Sequence, residues 1–336
     1  MGRFFLIIVL LISASGCRKP NPAASEVVLY TSVDEPFVRP LIERFTRETG
    51  ITVKLVTDAE ATKTSGLAEK LLAEKDHPAA DVYWGNEPFH TINLSDAGVL
   101  APYPRYHPPG TDQIADRFHD PSNIYTSIGL RARMIVISKR PEFAALTSQI
   151  KTLKDLANPA LKGRIGISNP GFGTASGHVA ALYLHWGDAR TDAWLKSLRD
   201  NGVHLLGGNS VVADQVAAGT LIAGLTDNDD IANSVADGQP IQAVVPDQDA
   251  DGTLLIPTTI ALVKGAPHDQ PAKRLIDFLT TPQVETELIN RHFIAYSARA
   301  GGTTVKSLQV DYSQVAHRMH DAVEQSLRIL QDRGKN

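Results

Sequence analysis

Five short segments gather the residue types that can hold a small charged ligand. The most acidic is Thr226-Asp227-Asn228-Asp229-Asp230. Carboxylates this close repel one another, and a bound cation relieves the repulsion. Their oxygens suit hard cations. The plainer readings are a solvated acidic turn or an aspartate capping the next helix. The complementary segment is Gly171-Phe172-Gly173-Thr174-Ala175-Ser176-Gly177-His178, expected to open a helix. Its glycines let backbone approach a ligand closely, and a helix N-terminus offers unpaired N–H groups and a partial positive charge. Ser176 adds a hydroxyl. The ordinary alternatives are N-capping by Thr174 or Ser176 and a capping or surface role for His178 in the first turn. Gly129-Leu130-Arg131-Ala132-Arg133 supplies Arg131, whose guanidinium can grip an anion with two parallel hydrogen bonds. Tyr30-Thr31-Ser32-Val33-Asp34-Glu35 brings Asp34, and Trp84-Gly85-Asn86-Glu87 brings Asn86 and Glu87. Asp34 and Glu87 are candidates to line a cleft, whereas Trp84 reads as core.

These segments lie at the ends of strand-like runs. Val27–Tyr30, Ile51–Val56 and Ala80–Trp84 read as strands, separated by helices over Phe37–Thr49 and Leu67–Lys75. Phe37, Leu41, Ile42 and Phe45 share one helix face, and Gly50 stops that helix. After a loop rich in Pro and Tyr at Pro102–Pro109, further strands are expected at Ala132–Ile137, Ile165–Ile167, Ile222–Leu225, Ile241–Val245 and within Leu254–Val263. Helices are expected at Leu153–Ala157, Gly177–Trp186, Asp192–Asn201, Val211–Ala218, Pro271–Leu279, Pro282–Asn290 and Val310–Asp332. This βα rhythm predicts mostly parallel sheets covered by helices. So many units exceed one core and predict two α/β lobes. Such lobes bind ligands in the crevice beyond the carboxyl ends of their strands, where the five segments fall.

The ends and the composition narrow the function class. Residues 1–16 carry Arg3, an apolar run from Phe4 to Ile12, then small residues, and Cys17 follows. That is the layout of a secretory signal peptide, with an apolar run too short to span a bilayer comfortably. Ala14-Ser15-Gly16-Cys17 resembles a bacterial lipobox, in which cleavage precedes the cysteine and its thiol carries lipid; an ordinary cleaved signal is the alternative. Residues 17–25 then read as a polar tether. Cys17 is the only cysteine of the 336 residues, so no disulfide is expected. The net charge of −4 excludes a strongly basic nucleic-acid binder. Neither HExxH, GxSxG, a P-loop nor a cysteine nucleophile is present. A metal-dependent hydrolase built on the aspartates is the remaining enzyme reading, and the expectation is that the chain is not an enzyme.

The segments Val28-Leu29-Tyr30-Thr31, Phe45–Ile51, Ala80–Trp84, Arg131-Ala132-Arg133, Gly173–Gly177, Gly208-Asn209-Ser210-Val211 and Gly224-Leu225-Thr226-Asp227, in this order and spacing, resemble the periplasmic binding proteins of ferric-ion ABC transporters. The resemblance covers about residues 26–300. It implies the type II periplasmic binding protein fold, with the ligand between two lobes. Lobe one is then 26–130 with 253–300, and lobe two is 131–252 with a C-terminal helix over 305–333. Iron-binding members hold Fe³⁺ by a His, a Glu and two adjacent tyrosines, with a synergistic anion. For the anion, Ser176, Gly177 and the His178 backbone match the helix N-terminus, and Arg131 and Asn209 match its side-chain partners. For the metal, Asp34 falls near the His, Asn86 on the Glu with Glu87 beside it, and Asp229-Asp230 on the tyrosine pair. Asp34, Glu87, Asp229 and Asp230 are thus the candidate metal ligands, and the phenolates that most favour ferric iron are absent.

The resulting expectation is a monomeric, lipid-anchored solute-binding protein, in the periplasm or on the outer face of the cell membrane. It would serve an ABC permease and carry no cofactor beyond a possible metal ion with a small anion as cargo. A small zwitterion or organic cation, such as an aminophosphonate, thiamine or a polyamine, is the alternative cargo. Asp229 and Asp230 would then meet the positive group and Ser176 and Arg131 the anionic end, with Asp227 a further ligand-binding candidate.

Overall fold

The computed structural model describes residues 25–58, 65–103 and 111–332. The leader, Cys17, most of the tether and most of the Pro-Tyr loop lie outside them. The chain begins with β1 (Glu26–Thr31), α1 (Glu35–Thr49), β2 (Thr52–Thr57), α2 (Ser65–Ala73), β3 (Val82–Gly85), α3 (Phe89–Asp96) and β4 (Leu100–Ala101). Helix α1 forms where the apolar spacing places it, burying Phe37, Val38, Leu41, Ile42 and Phe45. It ends at Gly50, whose φ of 72° is a left-handed conformation that glycine adopts without steric cost. Pro40 lies inside this helix and has no N–H to give the Pro36 carbonyl. Arg291 Nη1 bonds that carbonyl instead at 3.1 Å.

The long strand β5 (Tyr125–Ser138) leads to α4 (Ala144–Thr147), β6 (Ile165–Ser168), α5 (Gly173–Trp186), α6 (Asp188–Asp200), β7 (His204–Leu206), α7 (Asn209–Ala217), β8 (Ala223–Asp227), α8 (Asn228–Ala236) and β9 (Ile241–Val244). Strand β10 (Leu255–Val263) returns, followed by α9 (Asp269–Leu279), α10 (Pro282–Asn290) and α11 (Tyr312–Gln331). The strand order is β2-β1-β3-β10-β5-β8-β6-β7. Pairing is parallel among β2, β1 and β3 and among β8, β6 and β7, but antiparallel wherever β5 or β10 takes part.

Strand β5 is the spine of this arrangement. Its residues from Tyr125 to Ala132 pair with β10, and those from Arg133 to Ile137 pair with β8. The change of partner falls between Ala132 and Arg133, so Arg131 and Arg133 flank it. On one side the core gathers Leu29, Phe45, Trp84, Leu275 and Phe293. On the other it gathers Ile165, Leu182, Leu195 and Leu198 with Val315 and Ala322 of α11. Helix α11 packs on α5 and α6 and also reaches α3, where His317 Nε2 meets Asp96 Oδ2 at 2.7 Å.

Three local differences from the sequence reading matter for the site. Helix α5 starts at Gly173, four residues before the expected Gly177. Asp229 and Asp230 stand in the first turn of α8, where an acidic loop was expected. The residues after Glu87 form α3, which the short run Phe89–Asp96 did not reveal.

Candidate functional site

Arg131 and Arg133 are two residues apart on β5 and therefore point to the same face of the sheet. Both are buried, at 4% and 1% exposure. A buried guanidinium is sustained only by compensating charge, and β8 delivers it: Arg133 stands opposite Asp227 in the register. Arg133 Nη1 donates to Asp227 Oδ1 at 2.6 Å and to Asn209 Oδ1 at 2.9 Å. Arg131 Nη2 donates to Asp227 Oδ2 at 3.0 Å and to both Asp229 oxygens at 2.6 and 2.8 Å. Thr174 Oγ1 and Asn209 Nδ2 complete the shell of Asp227 at 2.6 and 2.9 Å.

The protonation states follow from these contacts. Burial opposes the charged form of Asp227, but Arg133, Arg131 and the Thr174 hydroxyl outweigh it and hold the carboxyl below its ordinary value. For Asp229, burial together with the charges of Asp227 and Asp34 outweighs Arg131 and raises the carboxyl. Burial works against the Arg131 cation, yet Asp229, Asp227 and Asp230 hold its pKa above the usual value.

Asp227, Asp229 and Asp230 each offer a carboxylate oxygen within 4.8 Å of the others. This trio is the grouping the acidic segment suggested, and Arg131 lies against two of its members. Asp230 is half-buried and accepts from Thr226 Oγ1 at 3.2 Å.

Asp227 and Asp230 of the trio open on a cavity of about 30 Å³, lined also by Asn86, Arg131, Gly173 and Asn209 among others. That volume holds a water or a single small ion. Helices α5 and α7 point their N-termini at it, and neither has a capping side chain, so their first N–H groups are open. Arg131 Nε is buried and meets no acceptor among the described residues. The cavity therefore combines donors from two helix ends and a guanidinium with the acidic side chains Asp227 and Asp230. A separate hollow of about 930 Å³ lies along β7 and the end of α11 and is lined by none of these residues.

The other expected site residues divide. Asn86 lines the cavity and trades hydrogen bonds with Ser32, at 3.2 Å from Ser32 Oγ to its Oδ1 and 3.0 Å from its N–H to Ser32 Oγ. Asp34 is half-buried at the N-cap of α1. Glu87 is turned away: its buried carboxylate accepts the Phe89 N–H at 2.5 Å and meets His90 Nδ1 at 2.9 Å. It therefore does not join Asp229 and Asp230. Because α5 begins at Gly173, the N–H groups of Gly177 and His178 are consumed within the helix. The open cradle is shifted to Gly173–Ala175. Gly177 is a packing residue, since a Cβ there would lie 1.9 Å from Phe89. His178 is buried and held neutral, its pKa pushed down to about 3 by burial and by Arg133. Ser176 faces a separate chamber between α3, α5 and α11. Arg133 and Thr174 belong to the cluster although neither was singled out. The i, i+2 spacing of the two arginines on a strand was the available signal.

Comparison with known proteins places this geometry. Residues 40–313 match the family model of bacterial extracellular solute-binding proteins. The iron uptake protein A1 of Synechocystis sp. is 26% identical over 329 residues, covering 92% of this chain and 88% of that one. A putative 2-aminoethylphosphonate-binding periplasmic protein of Salmonella typhimurium is 24% identical, covering 86% and 82%. The solved ferric binding protein of Campylobacter jejuni superposes with a TM-score of 0.79 at 21% identity, covering 90% of this chain and 99% of that one.

Proposed function

We propose, from the premise that the chain belongs to the family of bacterial extracellular solute-binding proteins, that it captures a small zwitterionic solute between its two lobes and hands it to an ABC permease. The observation that carries this reading is the position of Arg131. Its guanidinium rests on Asp227 and Asp229 at 2.6–3.0 Å, so the chain supplies its own cation to two of the three clustered carboxylates. An anionic group, phosphonate or carboxylate, then fits the converging N-termini of α5 and α7 with Arg131 Nε. An ammonium group fits Asp230. The relative from Salmonella typhimurium bears a name of this chemistry.

A second reading is a ferric ion with a synergistic anion. It is favoured by the three carboxylates within 4.8 Å and by the iron-uptake relative. It requires Arg131 to release Asp229, and it uses Asp229 and Asp230 in place of the tyrosines of the ferric-ion binders and Asp34 in place of their His.

The partner change within β5 supports a lobe boundary near residue 131, with 26–130 and 253–300 on one side and 131–252 on the other. The leader and Cys17 support export and lipid attachment at the periplasmic or outer membrane face. Cys17→Ser is expected to abolish incorporation of labelled fatty acid; unchanged labelling refutes the anchor.

The test of cargo is calorimetry and thermal shift with 2-aminoethylphosphonate, inorganic phosphate and ferric citrate. A cargo present at one hundred times its Kd stabilises the fold by about 2.7 kcal/mol. The zwitterion reading expects 2-aminoethylphosphonate to bind far more tightly than phosphate, and Asp230→Asn to abolish that preference. Binding of ferric citrate alone overturns it in favour of the metal.

A further inference from the structure

Beside the small cavity lies a larger chamber of about 400 Å³, and Gly173 lines both. One wall is α3, with His90 and Asn93; another is α5, with Ser176; the third is α11, with Met319, Val323 and Leu327. The chamber is thus walled by elements from both sides of β5. Its apolar side chains come from α11, which also brings His320 and Glu324 to the lining, and further polar groups come from α3, α5 and Ser65 of α2.

Those polar groups are poised and idle. Ser176 is 95% buried by its 5% exposure, and its hydroxyl makes no hydrogen bond among the described residues. His90 commits Nδ1 to Glu87 at 2.9 Å, and Glu87 is fully buried. This contact fixes the ring and leaves Nε2 as its remaining polar atom, which has no partner among the described residues. Burial disfavours the imidazolium, but the charge and hydrogen bond of Glu87 outweigh it and raise the His90 pKa. The chamber therefore meets Nε2 of an oriented ring, a donor in the imidazolium form that Glu87 favours, the Ser176 hydroxyl and the uncapped start of α5. A bare ion in the small cavity touches neither His90 nor Ser176.

We infer that the chamber is a second compartment of the solute site: it takes the carbon-bearing part of an organic oxyanion whose charged end sits at the start of α5, and His90 Nε2 and Ser176 Oγ donate to an acceptor oxygen on that part. This rests on the zwitterion reading and narrows it. The solute is an amino-bearing phosphonate or phosphate ester with a further carboxylate or hydroxyl on its carbon chain. His90 is then a specificity-determining residue, and Glu87 positions it.

The experiment compares two matched probes on the full-length, detergent-solubilised protein by calorimetry. They are 2-aminoethylphosphonate and 2-amino-3-phosphonopropionate, which adds a carboxylate to the same amine and phosphonate. The expected result is at least tenfold tighter binding of the second, with that ratio collapsing towards one in His90→Gln and in Val323→Trp, which fills the chamber from α11. Unfolding curves confirm that both variants are folded, and Ser176→Ala repeats the measurement with a smaller change. Equal binding of the two probes, or a ratio untouched by His90→Gln and Val323→Trp, overturns the chamber while leaving the zwitterion reading intact. Binding of neither probe overturns that reading and the chamber with it.

Discussion

Replacing Arg131 by alanine tests the charge arrangement at the heart of the site. Asp227 keeps Arg133, Thr174 and Asn209 after the change. Asp229 does not, because among the described residues its carboxylate hydrogen-bonds to Arg131 alone. The loss therefore falls on one buried carboxylate at 3% exposure. Removing one partner of a buried ion pair costs about 3–5 kcal/mol, chiefly through the charge left behind. Asp229 is already raised by burial and by Asp227, and without Arg131 it rises further. A carboxyl raised above its unfolded value stabilises the fold at low pH and loses that contribution as pH climbs through its folded value. Arg131→Ala is therefore expected to be least destabilised near pH 4 and most at neutral pH. The assay is urea unfolding at several pH values, scored by the midpoint at constant m. Arg131→Ala with Asp229→Ala should cost less than the sum of the singles, by up to about 3 kcal/mol. A cost below about 1 kcal/mol for Arg131→Ala, or strict additivity in the double variant, refutes the idea that Arg131 compensates the buried charge of Asp229.

Three further outcomes are expected. Gly177→Ala places a methyl 1.9 Å from Phe89, so α3 must move off α5; a loss of about 1–3 kcal/mol is expected in urea unfolding, partly restored by Phe89→Leu. His178 is held neutral down to about pH 3 while its unfolded form takes a proton near 6.5, so stability should fall as pH drops below about 6.5, and His178→Gln should flatten that limb of the stability–pH curve. Glu87→Gln removes the charge that raises His90, and the His90 ring resonances in an NMR titration should move at lower pH. In the unmodified protein the His90 contribution is complete below the unfolded histidine value and is lost as pH rises through the folded one.

The relation between sequence and structure is clearest in particular elements. Apolar spacing alone marked α1, with its Gly50 stop, and Pro282–Asn290 was legible because proline starts a helix and a regular face follows. The identity of the acidic segment and of Arg131 as chemistry-bearing residues was legible too, since charge clusters are local facts. Short elements were not: α3, β7 and α8 carry too few residues to show a period, and tertiary packing decides them. The start of α5 was read four residues late because Gly173-Thr174-Ala175-Ser176 looks like a loop. In the fold its Thr174 is drawn inward by Asp227, which anchors the first turn.

What the linear chain determined was therefore the inventory: alternating α and β units, an acidic run and a glycine-rich run beyond strand ends. What tertiary structure decided was which charges face each other. Arg131 and Asp229 are 98 residues apart, and only the antiparallel pairing of β5 with β8 brings them within 2.6 Å. The same pairing explains why two carboxylates of the acidic run, Asp227 and Asp229, are compensated within the fold. A buried carboxylate must find a counter-charge, and β5 places a guanidinium in that position.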